Sequence, residues 1–500
     1  MTDIPARLGA LSACHYLDGD WRKGTGPETP VIDPATEDAI GAFAHGTADE
    51  VDRAVAAARA AQGGWWRLSA LDRADALHEV SRRLREIRAR IGEAMTREMG
   101  KPYRESHWEG GAAASAFDYY AEIARHEAGR VAGPAIAGQL QMVLKEPLGV
   151  VVSIVPFNYP VLLFGWQAAA ALAAGNAVIV KPSELTTLTL LVAMEAFANL
   201  PPGLVQVLGG SAATGRLLVE HDGTDGIAFT GSVPAAQAVA EAAARRFKPA
   251  LIEASGNDPF IVMPSAPVDV VARGAAFAAF LNCGQVCTSA ERFYVHDDVH
   301  DEFVARLAHQ ARALRIGNGL GRVDLGPMAA SRERDRFEAA IARAVDQGAR
   351  IVAGGRRPAH LNKGWFHEPT VLEVSADMDI LKSELFGPAA PVCRIGSLDE
   401  AIEQANRSPY GLGANIYTER LDEAFRAVDE IESGIVWVNT PLNDNDAIPF
   451  GGRKLTGMGR ELGGEGLDQF RRSKMVMIAP KAEADPEWFP YPDGDAFGGA

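Results

Sequence analysis

The chain has 500 residues, 47% hydrophobic and 23% charged, a globular composition in a chain too long for one compact core. Its 49 basic residues against 65 acidic ones leave a net charge of −16, which repels phosphate backbones and excludes nucleic acid as the expected partner. The four cysteines, Cys14, Cys283, Cys287 and Cys393, are too sparse for a disulfide framework, and the N-terminus lacks an apolar signal core, so a reducing, cytoplasmic setting is expected.

In chain order, the first ~130 residues read as mostly helical. Thr47 precedes an Ala-rich run with Asp49 and Glu50 in its first turn. Ser69 to Asp72 resembles a helix cap ahead of a long Arg/Leu/Ile pattern reaching Ile91, and Gly100 with Pro102 reads as its stop. Pro160 to Val180 is apolar enough to suggest a membrane span. However, Gln167 lies inside it and Gly175-Asn176 breaks it, so a buried helix followed by a strand is expected, with no membrane partner.

From Gly149 short apolar runs alternate with helical patterns. Val150 to Val155, Ala177 to Val180, Leu204 to Leu208, Ile227 to Phe229 and Leu251 to Glu253 read as buried strands of a parallel sheet. A second alternating block runs from about Pro259 to Val438. The tail from Lys481 is acidic and aperiodic, with Trp488, Phe489 and Tyr491; it reads as a loose extension or an arm packed on a neighbouring subunit.

Several residues stand where such a fold does chemistry. Cys287, in Asn282-Cys283-Gly284-Gln285-Val286-Cys287-Thr288, follows a helix and a Gly-Gln pair, where exposed amides favour a reactive thiolate; taken alone it also reads as a small core residue. Cys283 and Cys287 have no matching second pair, so no metal is expected. Glu253 ends an apolar strand, where enclosure raises a carboxyl pKa toward a general base; a solvated strand-end Glu is the alternative. Asn158 follows a strand and can present its amide to an oxyanion, or simply make a turn. Lys181-Pro182-Ser183-Glu184 ends another strand, suited to ribose hydroxyls, and Gly231-Ser232 opens a helix, suited to phosphate.

In this order and spacing the segments resemble the aldehyde dehydrogenase superfamily, over about Tyr16 to Ile478. The matching pieces are Pro156-Phe157-Asn158, Lys181 to Glu184, Phe229 to Ser232, the Glu253 segment, Asn282 to Cys287, Glu384-Leu385-Phe386-Gly387-Pro388, Trp437-Val438-Asn439, and Pro449 to Gly452 through Glu461. The resemblance implies a Rossmann-like, doubly wound α/β cofactor domain (1–128 and 148–255), an α/β catalytic domain (256–455), a small β oligomerisation element (129–147 and 470–480) and a C-terminal extension (481–500). It implies oxidation of a small aldehyde to the acid with NAD, NADP being the other option, by a homodimer or homotetramer. Cys287 is then the nucleophile, Asn158 the oxyanion donor and Glu253 the base that activates water. Glu461 sits in a proton path. Lys181, counted with the catalytic residues, and Glu184 contact the adenosine ribose, and Pro156, Phe157 and Ser183 are further cofactor contacts. Gly231 and Ser232 meet the pyrophosphate, Glu384 the nicotinamide ribose, and Phe386 flanks the ring. A carboxylate at Glu184 favours a 2′-hydroxyl over a 2′-phosphate, hence NAD.

Three departures stand out. Ala254-Ser255 replace the usual Leu-Gly after the base; Val233 and Ala236 stand where Thr and Gly are usual; and Asn443-Asp444-Asn445-Asp446 is polar where many relatives are apolar. Tyr159, Trp166, Val286 and Thr288 are expected to line the substrate tunnel. Asp444, with Asp446, points to a polar or cationic aldehyde such as an aminoaldehyde, whereas Trp166 and Tyr159 favour an apolar chain or ring. The competing activities are a CoA-acylating relative, against which Glu253 argues, a cysteine hydrolase, and a non-catalytic binding protein on the same fold.

Overall fold

The computed structural model describes residues 3–126, 128–484 and 488–489; within the expected C-terminal extension, 485–487 and 490–500 lie outside the described residues. Two twisted sheets carry the architecture. The first has eight strands in the order Asp20–Lys23, Cys14–Leu17, Val205–Val207, Ala177–Lys181, Val150–Ile154, Gly226–Thr230, Ala250–Glu253, Gly457–Met458. The five from Val205–Val207 to Ala250–Glu253 are parallel, and the outer pairings are antiparallel. Val150–Ile154, Ala177–Lys181 and Gly226–Thr230 are buried at every residue, the mark of parallel strands covered on both faces.

The second sheet has seven strands, ordered Arg350–Ala353, Thr370–Glu373, Ala389–Ile395, Ala290–His296, Asp258–Val262, Asn415–Tyr417, Trp437–Val438, and only the Arg350–Ala353 edge is antiparallel. Each sheet has its own hydrophobic core. A third, antiparallel sheet joins Arg471–Ile478 to Leu140–Pro147 and Gly129–Ala132.

Helix ends follow local chemistry. Thr47 and Glu50 form a reciprocal capping box on Ala48–Arg67, and the Ser69 hydroxyl accepts from the Asp72 amide ahead of Ala70–Met99. Gly100 closes that helix at φ 87°, where a Cβ would meet Pro327 at 2.5 Å. Pro160–Ala173 is buried throughout, but no helix among the described residues is long and apolar enough to cross a membrane.

The first 130 residues are mostly helical, as their pattern reads, but four strands follow the short helix Ile4–Leu11: Cys14–Leu17, Asp20–Lys23, Glu28–Ile32 and Ala39–Ala44. Strands of four to six residues, partly exposed and paired late in the fold, leave little period to read. Gly457–Met458 pairs with Ile252 and Glu253 and closes the edge of the first sheet beside the candidate base.

Candidate active site

The loop before Cys287 runs against ordinary backbone preference. Asn282, Cys283 and Gly284 all have positive φ, at 50°, 58° and 71°. For the two non-glycine residues the left-handed region costs roughly 1–2 kcal/mol each. Side chains hold the turn: the Asn282 amide donates to the Gln285 carbonyl at 3.1 Å, the Gln285 amide donates back to the Asn282 carbonyl at 3.0 Å, and the Gln285 side-chain oxygen accepts from Ala329 N at 3.0 Å. At Gly284 a Cβ would lie 2.2 Å from the Gly387 carbonyl, and at Gly256 one would lie 2.0 Å from the Cys287 carbonyl. The turn thus seats Cys287 against the segments that carry Glu253 and Glu384.

Cys287 is half-buried and lines a cavity of about 580 Å³ with Tyr159, Trp166, Val286, Thr288, Asp444 and Phe450. All five residues expected in the substrate tunnel are therefore brought together. Burial raises the thiol pKa well above its ordinary value, and the negative charges of Asp258, Glu384, Asp444 and Glu253 add to it. The thiol needs a proton acceptor or an incoming positive charge before it can attack.

Glu253, at the end of Ala250–Glu253, is 3% exposed, and neither carboxylate oxygen has a hydrogen-bond partner among the described residues. Burial raises it well above the usual carboxylate range, the charge of Glu461 raises it further, and Arg460 opposes both. A Cβ at Gly451 would come within 2.5 Å of its Oε1, so glycine there leaves room for the side chain. Glu461 is also buried; its Oε1 accepts from the Gln167 amide at 2.8 Å, and burial brings it to about 7. The same amide reaches Thr230 Oγ1 at 3.0 Å, while Ser153 donates to the Gln167 oxygen at 2.6 Å. Gln167, legible only as a break in an apolar run, is thus the link between Glu461 and the strand ends.

Asn158 is 2% exposed, and its side-chain oxygen has no partner among the described residues. Its backbone carbonyl accepts from the Lys101 ammonium and, at 3.3 Å, from the Asn282 amide. Lys101, Glu105 and Glu109 were not singled out by sequence reasoning. Their charges lie around a helix stop and a helix start, where charge ordinarily means a solvated surface.

A second cavity, of about 630 Å³, opens at the carboxyl ends of three central strands, between the helices Ala212–Glu220 and Val233–Ala244. Ile154, Val219, Phe229 and Val239 wall it, and Lys181 stands at one side, its ammonium bonded to the Pro182 carbonyl at 2.9 Å and its pKa lowered by burial to about 8. Apolar walls for a base, with a lysine and Glu184 at the strand end, fit the adenosine half of a dinucleotide. Ser183, Glu184, Gly231 and Ser232 adjoin this cavity in sequence without lining it. Ser232 is the residue before Val233–Ala244 and makes no side-chain cap of its own. Phe157, which follows Pro156, meets Phe386 edge-to-face at 5.7 Å, and Glu384 accepts from Gly256 N at 3.1 Å, so Glu384 and Phe386, expected at the nicotinamide end, lie beside the Cys287 loop.

The sequence model described as "Aldehyde dehydrogenase family" matches residues 21–476. An aminoaldehyde dehydrogenase 1, peroxisomal, of Malus domestica is 37% identical over 487 residues, spanning 95% of this chain and 96% of that protein. A 3-sulfolactaldehyde dehydrogenase of Pseudomonas putida is 36% identical, spanning 93% and 96%. Among solved structures, betaine aldehyde dehydrogenase from Staphylococcus aureus in complex with NAD+ superimposes with a TM-score of 0.93 at 30% identity, covering 97% of this chain and 98% of that one.

Proposed function

Because the chain belongs to the aldehyde dehydrogenase family and oxidises aldehydes to acids with NAD(P), we propose that Cys287 is its nucleophile and that its substrate is a compact aldehyde with a cationic tail. The observation that carries the first part is the buried, unpartnered Glu253 carboxylate beside a cysteine that opens onto a cavity. A buried polar group without a partner costs stability, so its persistence marks a site kept ready for a ligand or water. Cys287 attacks the carbonyl carbon, the Asn158 amide holds the oxygen as charge develops on it, and a thiohemiacetal forms. Lys181 and Glu184 at one end and Glu384 and Phe386 at the other would hold the dinucleotide, which would supply the hydride acceptor for that carbon. The resulting thioester on Cys287 is hydrolysed by water that Glu253 deprotonates, and Glu461, joined to the strand ends through Gln167, takes the proton onward. This hydrolytic route, rather than transfer to CoA, is what Glu253 supports.

The tail preference rests on the cavity's lining. Glu105 and Asp444 line it with Tyr159, Trp166, Trp108 and Phe450, carboxylates among aromatic faces, which suits an ammonium group. Arg104 and Arg273 line the same space, and neither forms a salt bridge among the described residues. They favour a second reading, an aldehyde with an anionic tail. NADH formation with cationic, neutral and anionic aldehydes of equal length, run beside Cys287→Ala, decides between them. The expected result is loss of turnover in the variant and the highest kcat/KM for cationic aldehydes; a preference for anionic ones overturns the first reading.

Glu184 supports NAD over NADP. Four unpaired cysteines support a reducing, cytoplasmic setting. The strand Arg471–Ile478 is a sheet edge, and Val131, Leu140, Met475 and Met477 are exposed on the small sheet, which supports a homodimer or homotetramer built through it. The division of the chain at 128, 147, 255 and 455 is supported by the two cores and the separate small sheet.

A further inference from the structure

Lys101 sits just past the Gly100 turn and is fully buried. Its ammonium donates to Glu109 Oε2 at 2.5 Å and to the Asn158 carbonyl, and lies 3.6 Å from the centroid of the Tyr159 ring. The other oxygen of Glu109 accepts from the amides of Val161 and Leu162, at 2.9 and 3.1 Å. Those amides open the helix Pro160–Ala173, whose own flanking residue supplies no side-chain cap. Asn282 ties the same Asn158 carbonyl to the cysteine loop, and its backbone amide donates to Glu105 at 3.0 Å. Two separate segments, those of Lys101 and Asn282, therefore converge on one peptide group.

A buried ion pair is a poor source of stability, because desolvation offsets the attraction. Its contacts here converge on the peptide that carries the candidate oxyanion donor. We propose that Lys101 and Glu109 are positioning residues: they lock the Asn158–Tyr159 peptide plane and the first turn of Pro160–Ala173 so that the Asn158 carboxamide is aimed at the developing oxyanion. The proposal rests on the reading of Asn158 as that donor. With both donors in place the peptide cannot rotate about its neighbours, and the short Asn side chain is left few directions.

Lys101→Met alone strands a buried carboxylate and threatens folding, so the test uses Lys101→Met/Glu109→Gln, which removes the charge from both partners and keeps an oxygen for the Val161 and Leu162 amides. The double variant is expected to melt close to the unaltered protein and to keep its KM for NAD. The rate of Cys287 alkylation by iodoacetamide, which needs no oxyanion donor, is expected to hold. The kcat for aldehyde oxidation is expected to fall about 10- to 100-fold, the scale of a slight misplacement of a reacting group. Adding Asn158→Ala should then lower kcat no further than Asn158→Ala does by itself. An unchanged kcat in the double variant, or losses that multiply with that of Asn158→Ala, overturns the proposal. If Asn158→Ala alone leaves kcat unchanged, the reading of Asn158 has failed, and the cycle shows this separately.

Discussion

The buried polar groups of the candidate catalytic set and the mouth of the substrate cavity are made of the same kinds of side chain, yet they are built on opposite terms. In the interior Glu253, Glu461 and Asn158, none of which lines the cavity, are each at most 3% exposed, and atoms of all three lack partners among the described residues. Glu461 and Asn158 are nonetheless held from behind, by Gln167 and by Lys101 with Asn282. At the mouth Glu105 is half-buried, and Asp444, Arg104 and Arg273 are exposed. A fixed dipole in a dry site acts at full strength without reorganising, while water at the mouth screens each charge and shares its work among neighbours. Rate should therefore reside inside and selectivity outside.

The sharpest way to break this comparison is Glu253→Gln. A carboxamide of the same shape cannot activate water, so kcat for acid formation should drop by about 10²- to 10⁴-fold. The acylation half should survive, giving a burst of one NADH per site and an acyl group on Cys287 visible by intact mass. A variant that turns over steadily without a burst would remove Glu253 from the deacylation step.

A smaller effect is expected from Glu105→Gln with Asp444→Asn. KM for a cationic aldehyde should rise about 3- to 10-fold, with kcat and the KM of a neutral aldehyde of the same length unchanged, as fits partly screened charges. Equal changes for both substrates would make these residues structural.

The smallest effect concerns pH. Burial brings both Glu105 and Asp444 to about 7, the latter although it is exposed at the mouth, because protein and Asp446 crowd it. A raised carboxyl pKa means that the negative charge is present above about 7 and lost below it. The KM for a cationic aldehyde should therefore fall by about threefold or more as pH rises through 7, and that of a neutral aldehyde should stay level. A cationic KM that ignores pH would show that neither carboxylate faces the substrate's charge.

How much of this was legible varied residue by residue. Cys287, Glu253 and Asn158 could be singled out because each follows an element whose apolar pattern is continuous, and a polar residue at such an end is conspicuous. Gln167 was visible as the one polar interruption of an apolar helix, but its partner Glu461 lies 294 residues away. Lys101 and Glu109 offered no signal: a charged pair across a helix start is ordinary on a surface, and only packing shows that both are fully buried. Asp444 was expected in the tunnel and lines it, while Glu105, its counterpart on the helix Tyr103–His126, went unread.

By itself the sequence determined the alternation of buried parallel strands and helices and the caps at Thr47, Ser69 and Gly100, and it pointed to the candidate reacting groups, because burial on both faces and capping are local demands that leave their mark on neighbouring residues. Tertiary structure alone decided which strand ends meet, how the left-handed turn at Asn282–Gly284 presents Cys287, and which charges lie in the interior. Those outcomes depend on contacts between segments far apart in the chain, and the low dielectric that gives Glu253 its basicity and Lys101 its hold on Asn158 exists only once those segments have closed around them.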